Sequence, residues 1–225
     1  MSAKPVLHIF DLDRTITRLP TYTPFLLHAA LRLSPWRLLL IPLLIPAFAA
    51  YGLKSIERAR LKQIMQHMLL GGRLSRVKVE RVVTSFAVAT VTRNSYDAAR
   101  HTISEARAAG ERVVVATASH AFYASAIAQA VGATDLVATR SVWHDADMLT
   151  PRIDEQNCYG AAKLAMITAW LEREQINRDD IRVRFYSDHV SDLPVFEWCD
   201  EPVAIHPSPK LRVVAKSRNW PIRDW

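Results

Sequence analysis

Short apolar runs that break off at acidic or hydroxyl residues recur along this chain, with helix-forming stretches between them. VLHIF (6–10) stops at Asp11, RVVVA (112–116) at Thr117, and IRVRFY (181–186) at Ser187-Asp188. A run as short and as apolar as VLHIF predicts a strand buried on both faces. Helical spacing covers Ser95–Ala109, closed by Gly110, then Phe122–Val131, Gly160–Glu174, Leu193–Trp198 and Pro209–Lys216. Further short strands are expected at Leu136–Ala138 and Val203–Ile205, with a polar excursion or hairpin over 141–153. Strands alternating with helices predict an α/β fold, a Rossmann-like parallel sheet with helices on both faces. Ligands of such sheets sit beyond the carboxyl ends of the strands.

One block breaks the alternation. Residues 21–90 read as helices broken by prolines, with no strand of comparable strength. Helical spacing over Ile56–Leu70 stops at Gly71-Gly72, and another helical stretch covers about 75–89. The expected division is therefore a core of residues 1–14 and 91–225, with residues 15–90 inserted as a helical unit. The 225 residues suffice for such a domain plus an insertion.

If the sheet is parallel, Asp11, Asp13, Thr15, Thr117, Ser119, Asp188 and Asp192 gather at one edge, with Lys163 just inside its helix. Carboxylates crowded in one cleft repel. At 4 Å a pair costs roughly 4 kcal/mol at an effective dielectric of about 20. A divalent cation among them relieves that cost. Hard oxygen ligands suit Mg²⁺, which takes one or two carboxylates plus a substrate phosphate. A lysine and a threonine hydroxyl suit the remaining phosphate oxygens. An aspartate can attack phosphorus to form an aspartyl phosphate, and a second can pass a proton to the leaving oxygen.

FDLDRT, VVVATAS, Lys163 and YSDHVSD resemble the four motifs of the haloacid dehalogenase superfamily of phosphohydrolases, spanning residues 6 to about 206. The resemblance implies a Rossmann-like core with a helical cap over the active site. It implies Asp11 as nucleophile, Asp13 as acid and base, and Thr117 and Lys163 as phosphate ligands. It also implies a Mg²⁺ site drawing on Asp11, Asp13 (through its carbonyl), Asp188 and Asp192. Arg14 departs from the glycine that many members carry; either a reach to substrate phosphate or packing under the cap fits, with a structural role preferred. His120 and His189 read as solvent-facing loop histidines in preference to a catalytic role.

The chain resembles most the subfamily IB branch that includes phosphoserine phosphatase and the bacterial phosphatidylglycerophosphatase. A phosphoserine site should hold an acid near the cap entrance to pair with the substrate ammonium. The first acid after Asp13 is Glu57; it and Glu80 are the candidates. Charge points elsewhere. Lys and Arg outnumber Asp and Glu by 15 to 5 over residues 1–100, whereas residues 101–225 hold 14 against 17. Residues 14–56 carry five basic side chains and no acidic one.

Within them WRLLLIPLLIPAFAAYGL (36–53) includes 16 uncharged residues between Arg37 and Lys54. That falls short of the roughly 18–20 of a membrane span, and Pro42 and Pro46 interrupt it. Yet it is apolar all round, with Trp36 and Tyr51 near its ends as in an interfacial belt. A buried cap helix, a segment dipping into one leaflet and a true span all remain open.

A basic, apolar cap suits a phosphomonoester carried on a lipid such as phosphatidylglycerophosphate. A phosphatase for phosphoserine or another small metabolite is the alternative, as is a phosphotransferase using the same intermediate. An inert basic binding module is the alternative of a different class; no helix-turn-helix or RNA-binding signature supports it, and no nucleic-acid partner is expected. Cys158 and Cys199 lie in no metal-ligand spacing and suit a reducing compartment. The start, MSAKPVLHIFDLD, has no leader-like apolar core. The expected location is cytoplasmic, or peripheral on the inner face of the membrane.

Overall fold

The computed structural model describes residues 4–225; the first three residues of the expected core lie outside it. In chain order the elements are β1 (Val6–Phe10), α1 (Tyr22–Leu33), a 3-10 stretch (Pro35–Leu44), α2 (Ile45–Gly52), α3 (Arg58–Leu70), β2 (Leu74–Ser75), α4 (Arg76–Asn94) and α5 (Asp97–Ala108). Then follow β3 (Arg112–His120), α6 (Ala121–Ala130), β4 (Asp135–His144), β5 (Met148–Asp154), α7 (Ala161–Arg173), β6 (Arg182–Ser187), α8 (Leu193–Trp198), β7 (Glu201–Ile205), α9 (Pro209–Ser217) and β8 (Ile222–Arg223).

One sheet has the order β2-β5-β4-β3-β1-β6-β7-β8. The six strands from β4 to β8 run parallel, as the alternation predicts. β1 sits at the centre with all five residues buried, which is why it reads as a continuous apolar run. The pleat sorts its side chains. Leu7 and Ile9 pack with Ile167, Trp170 and Phe196 of α7 and α8. Phe10 packs on the opposite face with Ile103 and Tyr123 of α5 and α6, in a core that continues into the helical block.

Several boundaries differ from the sequence reading. β3 does not stop at Ala116 but runs to His120, and its register against β4 shifts between Thr117 and His120. Such a shift re-aims side chains where a strand meets a site. β4 is ten residues long rather than three, because its second half pairs antiparallel with β5. The 141–153 excursion is therefore a hairpin. It reaches the helical block, where β2 pairs with β5. α4 continues to Asn94, five residues beyond the expected end. The carboxy-terminal NWPIRDW packs back on the core: Trp220 stacks on Phe196, and Trp225 Nε1 donates to the Thr15 carbonyl at 3.0 Å.

Candidate active site

β1, β3 and β6 end side by side, and their ends deliver the polar residues to one cavity of about 240 Å³. Asp11 follows Phe10 directly, and its N–H donates to the Tyr186 carbonyl at 2.9 Å, extending the β1–β6 ladder by one residue. Lys163 comes from the first turn of α7. Gly160 caps that helix at φ +61°, a backbone that side chains with a Cβ rarely adopt. Lys163 Nζ donates to Asp11 Oδ1 and Asp192 Oδ2, both at 2.7 Å. Ser187 Oγ donates to the same Asp192 oxygen at 2.6 Å. All four side chains are buried.

Asp13 is held differently. Its Oδ1 accepts from the Thr21 N–H and hydroxyl, each at 2.8 Å, and its Oδ2 from the Ser119 hydroxyl at 3.1 Å. Thr117 lines the cavity, buried, with its Oγ1 accepting from the Ser119 N–H at 3.0 Å. Asp188 lines it too. Thr15, by contrast, is buried with its hydroxyl unpaired.

Arg14 is exposed and lines the cavity rather than packing beneath the cap, and its φ of +65° explains why glycine is at ease there. His189 is half-buried, its Nδ1 accepting from the Ser191 N–H at 3.2 Å to cap a single 3-10 turn, Val190–Asp192. His120 is not solvent-facing at all. It is fully buried, stacked on Tyr22, with Nδ1 2.8 Å from the Ser141 hydroxyl. Burial, helped by Lys62, holds it well below the ordinary imidazole range, and so neutral.

The electrostatics express the crowding. Burial pushes the Asp11 carboxyl up; Lys163 pulls it back down, while Asp192, Asp188 and Asp13 push it further up. Asp188 is raised to about 6, by burial and then by Asp192. Burial works against the Lys163 ammonium, but Asp11 and Asp192 together raise it well above the usual lysine range. One ammonium thus serves two buried carboxylates and leaves the cluster short of positive charge.

The free oxygens suit a hard cation. Only Oδ1 of Asp11 is engaged, Asp188 accepts from no other side chain, and the Asp13 carbonyl accepts no hydrogen bond among the described residues. Both carboxylate oxygens of Asp13 are engaged, whereas at Asp192 only Oδ2 is. Among the described residues, three carboxylates, those of Asp11, Asp188 and Asp192, each keep a free oxygen, and the Asp13 carbonyl is free beside them. Among the described residues no three acidic, histidine or cysteine side chains form a ready-made cage.

Three contributors escaped the sequence reading. Thr21 fixes Asp13. Arg58 and Lys62 project from one face of α3 at i and i+4 spacing, and that spacing was the available signal. Arg58 lines the cavity beside Tyr159, its guanidinium 4.7 Å from the ring centroid. Lys62, buried, donates to the Ala118 carbonyl and, at 2.9 Å, to Asn157 Oδ1. A second cavity of about 380 Å³ runs from Asp13 past Arg58 and Lys62 to Tyr22, Phe48, Tyr51 and Met65. Asp13 is its single acid. Glu57 is exposed and lines a separate cleft, and Glu80 lines another.

Comparison with known proteins places this geometry. The model of the haloacid dehalogenase-like hydrolase family matches residues 9–197. An inhibition of morphological differentiation protein of Streptomyces azureus is 30% identical over 178 residues, covering 79% of this chain and 62% of that protein. A phosphoserine phosphatase of Mycobacterium tuberculosis is 32% identical over 117 residues, covering 52% and 37% respectively. Both relatives are substantially longer than the stretch they share with this chain. Among solved structures, a Bordetella pertussis protein of unknown function superposes with a TM-score of 0.85 at 24% identity, over 99% of each chain. A substrate-bound phosphoserine phosphatase superposes at 0.60 with 18% identity, over 95% of this chain and 91% of the other. At these identities the two structures share the fold.

Proposed function

The chain belongs to the haloacid dehalogenase-like hydrolases, and from that premise we propose that it is a Mg²⁺-dependent phosphomonoester hydrolase working through an aspartyl-phosphate intermediate. The observation that carries this reading is the Asp13–Asp11–Lys163–Asp192 arrangement on one cavity wall, with Thr117 and Asp188 beside it.

Asp11 attacks phosphorus and forms an acyl phosphate as the ester P–O bond breaks. Asp13 gives its proton to the departing alcohol oxygen. Thr21 and Ser119 hold Asp13 in one orientation for that transfer. Asp13 then takes a proton from water as the water attacks phosphorus, releasing inorganic phosphate and restoring Asp11. Lys163 orients Asp11 and, with the Thr117 hydroxyl, offers donors to the phosphoryl oxygens. Asp11, Asp188, the Asp13 carbonyl and the free Oδ1 of Asp192 would hold Mg²⁺, which would supply positive charge against the phosphoryl oxygens as two anions approach.

The helical block 15–90 serves as the cap, with α3 as the roof. For substrate, the second cavity supports an ester whose alcohol is apolar and further anionic, a phosphate carried on a lipid such as phosphatidylglycerophosphate. Its walls combine Phe48, Tyr51 and Met65 with Arg58 and Lys62, and its single acid is Asp13, whose carboxylate is already held by Thr21 and Ser119. The likeness to phosphoserine phosphatases keeps phosphoserine as the competing substrate.

The test is phosphate release with Mg²⁺ from phosphatidylglycerophosphate in mixed micelles, phosphatidic acid, phosphoserine and simple phosphomonoesters. Asp11→Asn is expected to lose activity by ~1,000-fold or more. Lipid phosphates are expected to turn over best. Turnover of phosphoserine alone would keep the mechanism and overturn the lipid assignment. Phosphoryl transfer to added alcohols in preference to water would make it a transferase. No turnover of any ester would overturn the enzyme reading.

A further inference from the structure

Of residues 35–52, only Leu44 is buried. Trp36, Leu39, Leu43, Ile45, Phe48 and Leu53 are exposed, Leu39 at 80% and Leu53 at 79%. A cap helix in the core would show the reverse, so the buried-helix reading fails at its own residues. By length and composition Pro35–Gly52 reaches across a bilayer, but it is not one regular helix and both of its parts pack on α3 of the same fold. It is broken into a ten-residue 3-10 stretch containing Pro42 and an eight-residue helix, whereas a span needs about 20 continuous helical residues. Its start is tethered to the fold: Arg37 Nη1 donates to the Met68 carbonyl at 2.9 Å, at the end of α3.

Charge identifies what covers this surface. Arg32 and Lys54 flank it, exposed, and Arg60 follows at the start of α3. Glu57 is the one acidic residue between Arg14 and Glu80. A second copy of the chain would bring two such basic rims together across a two-fold axis and repel. An anionic lipid surface attracts the rim and accepts the apolar side chains. Phe48 and Tyr51 also line the cavity that reaches Asp13, so the segment borders the way into the site.

We propose that residues 36–53 are a monotopic membrane dock that seats the cap on an anionic leaflet, with the basic residues at its ends facing the headgroups. The dock rests on exposure and charge, so it is read without turnover, and its failure is separable from failure of the hydrolase reading.

The test is cosedimentation of the full chain with vesicles of phosphatidylcholine alone and of phosphatidylcholine with phosphatidylglycerol, at low and high salt. The wild type is expected to bind the anionic vesicles about tenfold more tightly than the neutral ones, with the preference fading in high salt. A Leu39→Ser/Leu43→Ser double variant should lose about tenfold or more in binding. It should keep the wild-type unfolding temperature and its turnover of soluble esters, because both side chains already face solvent. Lys54→Glu should weaken binding to anionic vesicles only. Failure of the wild type to bind, equal binding to both vesicle types, or undiminished binding by the double variant overturns the proposal. A dimer that the double variant dissociates, with no vesicle binding, assigns the surface to a second copy instead.

Discussion

Lys163 is a buried ammonium 2.7 Å from two carboxylates, and removing it strands both. Breaking such a buried set by deleting one partner typically costs about 3–5 kcal/mol. Lys163→Met is therefore expected to lower the unfolding temperature by roughly 6–20 °C, at ~2–4 °C per kcal/mol for a chain of this size. Calorimetry checks this; an unchanged midpoint would mean that the carboxylates find other partners. Asp188 has the opposite need, raised to about 6 because burial and Asp192 oppose its charge. Mg²⁺ at about 100 times its dissociation constant should add about 2.7 kcal/mol of stability to the wild type. Asp188→Asn should lose most of that gain, as a thermal shift with and without Mg²⁺ would read. The residues at the strand ends were legible because each follows an apolar run. What their spacing could not convey is which oxygens are already engaged. The Asp13 carboxylate accepts from Thr21 and Ser119, and Oδ2 of Asp192 from Ser187 and Lys163, which leaves the Asp13 carbonyl and the Asp192 Oδ1 free.

At the scale of elements, α3 joins the helical block to the strand ends through Lys62. Burial holds the Lys62 amine down to about 7 against an ordinary 10.5; Arg58 adds to the effect and Asp13 opposes it. Between those values the unfolded chain carries a proton that the folded chain lacks, so stability rises with pH and is lost as pH falls towards about 7. Denaturant unfolding from about pH 7 to about pH 10 should show the wild type gaining on Lys62→Met as pH rises. A constant difference between the two would mean that the folded amine titrates as it does in solvent. Helices were the more readable elements because their apolar spacing is local. β2, the second half of β4 and the run of β3 through His120 were not readable, since each is a strand by virtue of distant pairing rather than its own composition. The Pro35–Leu44 stretch defeated the helix rule in another way: its apolar side chains face outward, where no core explains them.

For the whole molecule, the excess positive charge sits in residues 15–90, and from that block Arg58 joins Arg14 in lining the cavity. An anionic ester should therefore be drawn in by the field of the protein. kcat/KM for a soluble phosphomonoester is expected to fall as ionic strength rises, with kcat nearly constant; a salt-independent kcat/KM would show that steering plays no part. The central claim, however, is the covalent step at Asp11, and a single-turnover acid quench followed by peptide mass analysis tests it most directly. The account predicts one added phosphoryl group on the peptide bearing Asp11, formed before phosphate is released and missing in Asp11→Asn. Phosphate release with no such adduct, or an adduct on any other residue, would contradict it.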